Sequence, residues 1–201
     1  MDPKKLDVKW NGAPEQLPVM RRNLMAKIYR DAKEDIPDNS PEALGKSIQM
    51  NVYCDADHAG NIVTQRSQSG ILIYANKAPI LWFTKKQNTI ELSTFGSKFI
   101  ALRISIEKVK SLRYKLRMMG LKLDGPANIF VGNESVVNSS MRPESVLEKK
   151  HVLIAYHLAR ESFAASIVNI FGVKSKENLS DAFTKVMSYS KQKNIFDAIF
   201  W

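Results

Sequence analysis

Cysteine is almost absent: Cys54 is the single one in 201 residues, so the chain cannot form an internal disulfide and nothing points to an oxidising compartment. No apolar run approaches the roughly 20 residues that a membrane helix needs, and no signal-peptide pattern opens the sequence. A soluble intracellular protein, cytoplasmic or nuclear and without membrane contact, is therefore expected. Histidine is scarce too. His58, His151 and His157 are the only three, and none has a cysteine or second histidine at metal-ligand spacing, which argues against zinc. His151 and His157 lie six apart on one predicted helix and off a common face, so polar packing explains them, with a general-acid role as the other option. No serine, nor Cys54, has a base at recognisable spacing, and no Gly-rich phosphate loop is present. Acidic residues are also in short supply: 20 against 30 Lys and Arg, for a formal charge of +10. Such an excess favours a phosphate polymer as partner, nucleic acid being the commonest, although it also suits a merely solvated surface.

What is present suffices for one domain with a real core. Five of the eight prolines, Pro3, Pro14, Pro18, Pro37 and Pro41, fall before residue 46. They leave room for one helix, Val19 to Lys33, with Met20, Leu24 and Ile28 on one side, and for a turn-rich linker from Asp35 to Gly45. Residues 1–46 thus read as a leader joining a domain over 47–186 to something upstream, and 187–201 as a helical tail. Trp10, Trp82 and Trp201 read as packing residues.

The central stretch runs from Ile48 to Gly60. Ile48, Met50, Val52 and Cys54 alternate with polar residues, the period of a half-buried strand, and the strand ends in Asp55 and Asp57. The plain reading of Asp-x-Asp is a turn or a cap; the alternative is a buried carboxylate held by a partner or a metal. Two apolar runs, Gly70 to Ala75 and Pro79 to Thr84, form a predicted hairpin around Asn76-Lys77-Ala78. From Leu92 to Met119 apolar residues recur at spacings of three and four, a long helix ending at Gly120. Its opposite face carries Arg103, Lys108, Lys110, Arg113, Lys115 and Arg117. A strand at Asn128 to Gly132, helices over 133–138 and 144–165, a strand at Ile167 to Val173, and helices from Leu179 and around Ile195 to Phe200 complete the order. Strands early and alternation later imply an α/β fold with a five-stranded mixed sheet flanked by helices.

Several short segments then fall into one order: Tyr53-Cys54-Asp55-Ala56-Asp57-His58-Ala59-Gly60, Arg66-Ser67-Gln68-Ser69-Gly70, Lys85-Lys86-Gln87-Asn88-Thr89, Leu92 to Phe99, Gly132-Asn133-Glu134-Ser135, Lys150-His151 with Tyr156-His157, and Asn178 to Lys185. From about Val52 to Val186 the sequence resembles the ribonuclease H domain of Ty1/copia-type retrotransposon polyproteins. The resemblance implies a ribonuclease-H-like fold, four clustered acids holding two Mg²⁺ ions, cleavage of RNA in RNA–DNA hybrids, and an upstream reverse transcriptase, the chain itself being expected as a monomer.

By that resemblance, Asp55 and Asp181 match the first and last catalytic acids. Two positions depart from it: Lys98 and Gly132 stand where the family has carboxylates. Lys98 lies on the edge of the apolar stripe and is expected to pair with Asp55 or Asp181, since an ammonium has no lone pair for a metal. The expectation is therefore a degenerate domain that keeps nucleic-acid contact, through Lys85, Lys86, Arg103, Lys110, Arg113 and Arg117, or a structural role beside a reverse transcriptase. One alternative is an active nuclease holding metal on Asp55, Asp57 and Asp181; another is a scaffold that touches no nucleic acid.

Overall fold

A computed structural model describes residues 16–61, 63–147, 150–175 and 177–200; Trp10 and Trp201 lie outside them. Helix α1 (Gln16–Ile28) and strand β1 (Leu44–Ile48) precede β2 (Met50–Ala56), β3 (Gln68–Ala75) and β4 (Ala78–Lys86). Then come α2 (Thr94–Met118), β5 (Leu121–Leu123), β6 (Ala127–Val131), α3 (Glu134–Met141), α4 (Leu153–Ala164), β7 (Val168–Gly172) and α5 (Tyr189–Phe200). The main sheet has five strands in the order β4-β3-β2-β6-β7. The first three are antiparallel neighbours, whereas β6 and β7 run parallel to β2, giving the mixed sheet that the strand order implies.

The alternation in β2 sorts its two faces. Val52 and Cys54 enter one core with Ile71, Ile73, Ile129 and Ile170, closed by Phe99, Leu102, Ile106 and Val109 of α2 and by Ala159 and Phe163 of α4. Tyr53 enters the other, stacking on Phe130 at 5.0 Å between ring centres, beside Leu72 and Tyr74 and under Ile195, Phe196 and Ile199 of α5. Burying side chains of this size contributes roughly 1.5–3 kcal/mol each before entropy is counted. α2 starts where Ser93 accepts a hydrogen bond from the Gly96 amide and stops at Gly120, whose φ of +72° suits glycine.

Several local features differ from the sequence reading. A strand, β1, begins at the end of the expected linker and pairs parallel with β5 in a separate two-stranded sheet. β1 is mostly exposed and β5 is only three residues long, too short for its alternation to register. α1 turns Met20, Leu24 and Ile28 outward and buries Met25 completely in the main core. Helix is absent from 142–147 because the buried Arg160 ties down that backbone, donating to the carbonyls of Ser139, Arg142 and Pro143. Only a 3-10 turn and α4 follow, from Lys150. The helix expected from Leu179 is one 3-10 turn, Leu179–Phe183, capped by the Asn178 side chain. No helix among the described residues is long and apolar enough to cross a membrane.

Candidate active site

Three elements meet where β2 ends. Asp55, in register with Gly70 of β3, is buried at 1% exposure. A β-carbon at Gly70 would come within 2.7 Å of Thr184 and 2.8 Å of Phe183, so glycine here is what lets the 3-10 turn lie against the sheet. That close approach carries Asp181, itself 4% exposed, over Asp55. Asn178 fixes the turn by donating to the Cys54 carbonyl at 3.2 Å.

The first turns of α2 bring in Lys98. Its Nζ lies 2.8 Å from Asp55 Oδ1, a close ion pair. The same ammonium donates to the Gly132 carbonyl at 3.4 Å, at the strand end where the resemblance places an acid. Lys185, one helical turn past Asp181, lies 3.2 Å from Asp55 Oδ2 and 2.7 Å from Asp181 Oδ2. Thr184 donates to Asp55 at 3.3 Å and Ser175 to Asp181 at 3.0 Å.

The electrostatics follow from these contacts. Burial alone would raise the Asp55 carboxyl, but Lys98 and then Lys185 outweigh it and hold it below the usual range. Asp181 goes the other way, raised by burial and by the Asp55 charge, which Lys185 offsets only in part. Lys185 is raised by its two carboxylate neighbours despite its own burial.

These residues do not fit a pair of Mg²⁺ ions. Two of the four implied carboxylates are missing, and those that remain face ammonium groups. A dication about 4 Å from one ammonium would meet a repulsion of about 8 kcal/mol at an effective dielectric of 20. Asp57 does not rescue the site, because its Oδ1 accepts a hydrogen bond from the Gln68 amide and so belongs to its own loop. Glu134 is exposed, and Glu91 is buried against His151 Nε2 at 3.1 Å. Among the described residues, no three His, Cys, Asp or Glu side chains gather as metal ligands. His157 instead bonds Tyr29 at 2.7 Å.

Of the expected nucleic-acid contacts, Lys85, Lys86 and Lys110 are exposed. Arg103 pairs with Glu107 along α2 at 2.8 Å. Arg113 and Arg117 are not on an open basic face, which corrects their assignment. Both grip Glu34, at 2.6 and 2.5 Å, and Arg113 is 4% exposed. The residues that the sequence reading missed are Lys185, Thr184, Ser175 and Asn178; the four-residue spacing of Asp181 and Lys185 was the available signal.

Comparison with known proteins agrees with this fold. The LC11 ribonuclease H1, solved in complex with an RNA/DNA hybrid, superposes with a TM-score of 0.53 at 14% identity over 68% of this chain and 94% of that one. The chain has a ribonuclease-H-like fold. The ribonuclease-H-like chain is also 24% identical over 155 residues to the retrovirus-related Pol polyprotein from transposon RE1 of Arabidopsis thaliana, covering 77% of this chain and 11% of that protein. With the polyprotein from transposon TNT 1-94 of Nicotiana tabacum it shares 27% over 147 residues, 73% of this chain and 11% of that one. Its homologues are thus Pol polyproteins of copia-type transposons, and the chain spans about a tenth of their length. No family model matches it.

Proposed function

We propose that this is a catalytically degenerate ribonuclease-H-like domain of a copia-type Pol polyprotein, one that binds duplex nucleic acid beside a reverse transcriptase inside the cell. The observation that carries the reading is the Lys98 ammonium on Asp55 at 2.8 Å: a fixed monovalent cation stands against the carboxylate that a metal would need. In this reading residues 47–186 are the ribonuclease-H-like unit and 1–46 and 187–201 its flanks. The +10 charge and the exposed Lys85, Lys86 and Lys110 support backbone contact. Chemically, the pocket can hold charge and position a phosphate, its two ammonium groups facing the acids that a metal would need.

The test is cleavage of a labelled RNA–DNA hybrid with Mg²⁺ or Mn²⁺. The unaltered chain is expected to leave the hybrid intact, and Lys98→Glu with Gly132→Asp to restore four acids and some cleavage. Turnover by the unaltered chain would end the reading. No observation favours the nuclease that uses Asp57, given the engagement of Asp57 with Gln68. The scaffold reading predicts no hybrid affinity at low salt.

A further inference from the structure

Resting on the nucleic-acid-binding reading, we infer that Lys98 and Lys185 serve this pocket as resident cations, so that the domain engages a duplex backbone without divalent metal, with Lys185 as the phosphate contact.

Charge count and layering carry the inference. Two carboxylates, Asp55 and Asp181, face two ammonium groups, so the cluster sums to zero without any metal. The neutralisation is shared. Asp55 receives Lys98 on Oδ1 at 2.8 Å and Lys185 on Oδ2 at 3.2 Å, and Asp181 receives Lys185 at 2.7 Å. The acids lie beneath and the cations above: the Asp55 and Asp181 side chains are 1% and 5% exposed, whereas Lys98 and Lys185 are 15% and 37% exposed. An approaching phosphodiester therefore meets N–H donors before it meets carboxylate. Divalent ions would do the same for four acids; here the chain supplies its own cations beside two. The hydroxyls of Thr184 and Ser175 bond the acids, and Ser175 also accepts from Lys185 at 3.3 Å, the longest of the Lys185 contacts and the one a phosphate oxygen would replace.

The experiment is a fluorescence-anisotropy titration of a labelled RNA–DNA hybrid with the full chain, in EDTA and in MgCl₂ at matched ionic strength. Equal affinity, to within about twofold, is expected. Lys185→Met should reduce the slope of log affinity against log salt by about one, and Lys185→Arg should keep it. Lys98→Glu with Gly132→Asp should make binding fall on chelation. Affinity in the unaltered chain that drops about tenfold or more in EDTA overturns the inference and leaves hybrid binding standing. Absence of binding in both buffers overturns hybrid binding itself. An unchanged salt slope in a folded Lys185→Met, checked by circular dichroism, overturns the role of Lys185. As a readout independent of hybrid, calorimetric titration with MnCl₂ should show no saturable heat; saturable binding overturns the resident-cation assignment.

Discussion

A β-carbon at Gly132 would stand 3.4 Å from Lys98 Nζ and 3.6 Å from Asp55 Oδ1. The two positions where the resemblance implies acids are thus neighbours in space, although 34 residues separate them in the chain. One contributes the ammonium and the other contributes no side chain beside it, so together they set the charge of one corner of the pocket.

Gly132→Asp alone should fold. Its β-carbon would make only ordinary contacts, and its carboxylate would have Lys98 beside it. An unfolding free energy from urea titration within about 1 kcal/mol of the parent is expected, in the range of a solvent-screened ion pair.

Lys98→Glu alone should behave oppositely. It would set three carboxylates around one lysine, and the loss of a cation from a buried pair costs about 3 kcal/mol. Thermal melting should therefore fall by several degrees and recover on adding MgCl₂, because a dication then has ligands. A melting temperature insensitive to MgCl₂ would count against the charge argument.

Acid should act through Glu34 and Asp55. The Glu34 carboxyl is lowered to about 2; burial opposes the shift, but hydrogen bonds from Arg113 and Arg117 prevail. Its folded value lies below its unfolded one, so the stability it lends is full above about pH 4.5 and is lost as the pH falls toward 2. Asp55 has the same sign, with its contribution lost below the unfolded value of about 3.9. Asp181, held high, has the reverse sign: its ionisation costs stability as the pH rises from its unfolded to its folded value. Glu34→Gln should lower stability at pH 7 by about 2 kcal/mol and flatten the acid limb of the denaturation profile.

Met25→Ala should cost about 3 kcal/mol as a large-to-small change in a core, whereas Met20→Ala, at 63% exposure, should fall within about 0.5 kcal/mol of the parent. Equal effects would mean that α1 does not pack as described.

The five strands of the main sheet and α2 were legible because a single periodicity governs each. Val52 and Cys54 alternate with Tyr53, and Phe99, Leu102, Ile106 and Val109 repeat along a helix. β1 and β5 were not legible, since the two strands are five and three residues long and their pairing rests on backbone hydrogen bonds rather than on an extended side-chain pattern. Arg113 illustrates the other failure. On a helical wheel it belongs to the basic face, but its burial depends on Glu34, 79 residues earlier, and long-range pairing leaves no local trace. The same holds at the site: Lys98 and Asp55 could be singled out one by one, whereas the second ammonium there, Lys185, emerges only once Gly70 lets the 3-10 turn close over the sheet.

The Glu34 fork has a mechanical consequence. It clasps α2 at Arg113 and Arg117, while Lys98 sits near the start of the same helix, about 22 Å away along the axis from Arg113 at 1.5 Å per residue. α2 therefore works as a strut between the pocket and the segment that follows α1. The segment that follows α1 is thereby tied, through one continuous helix, to the element that presents Lys98 to Asp55.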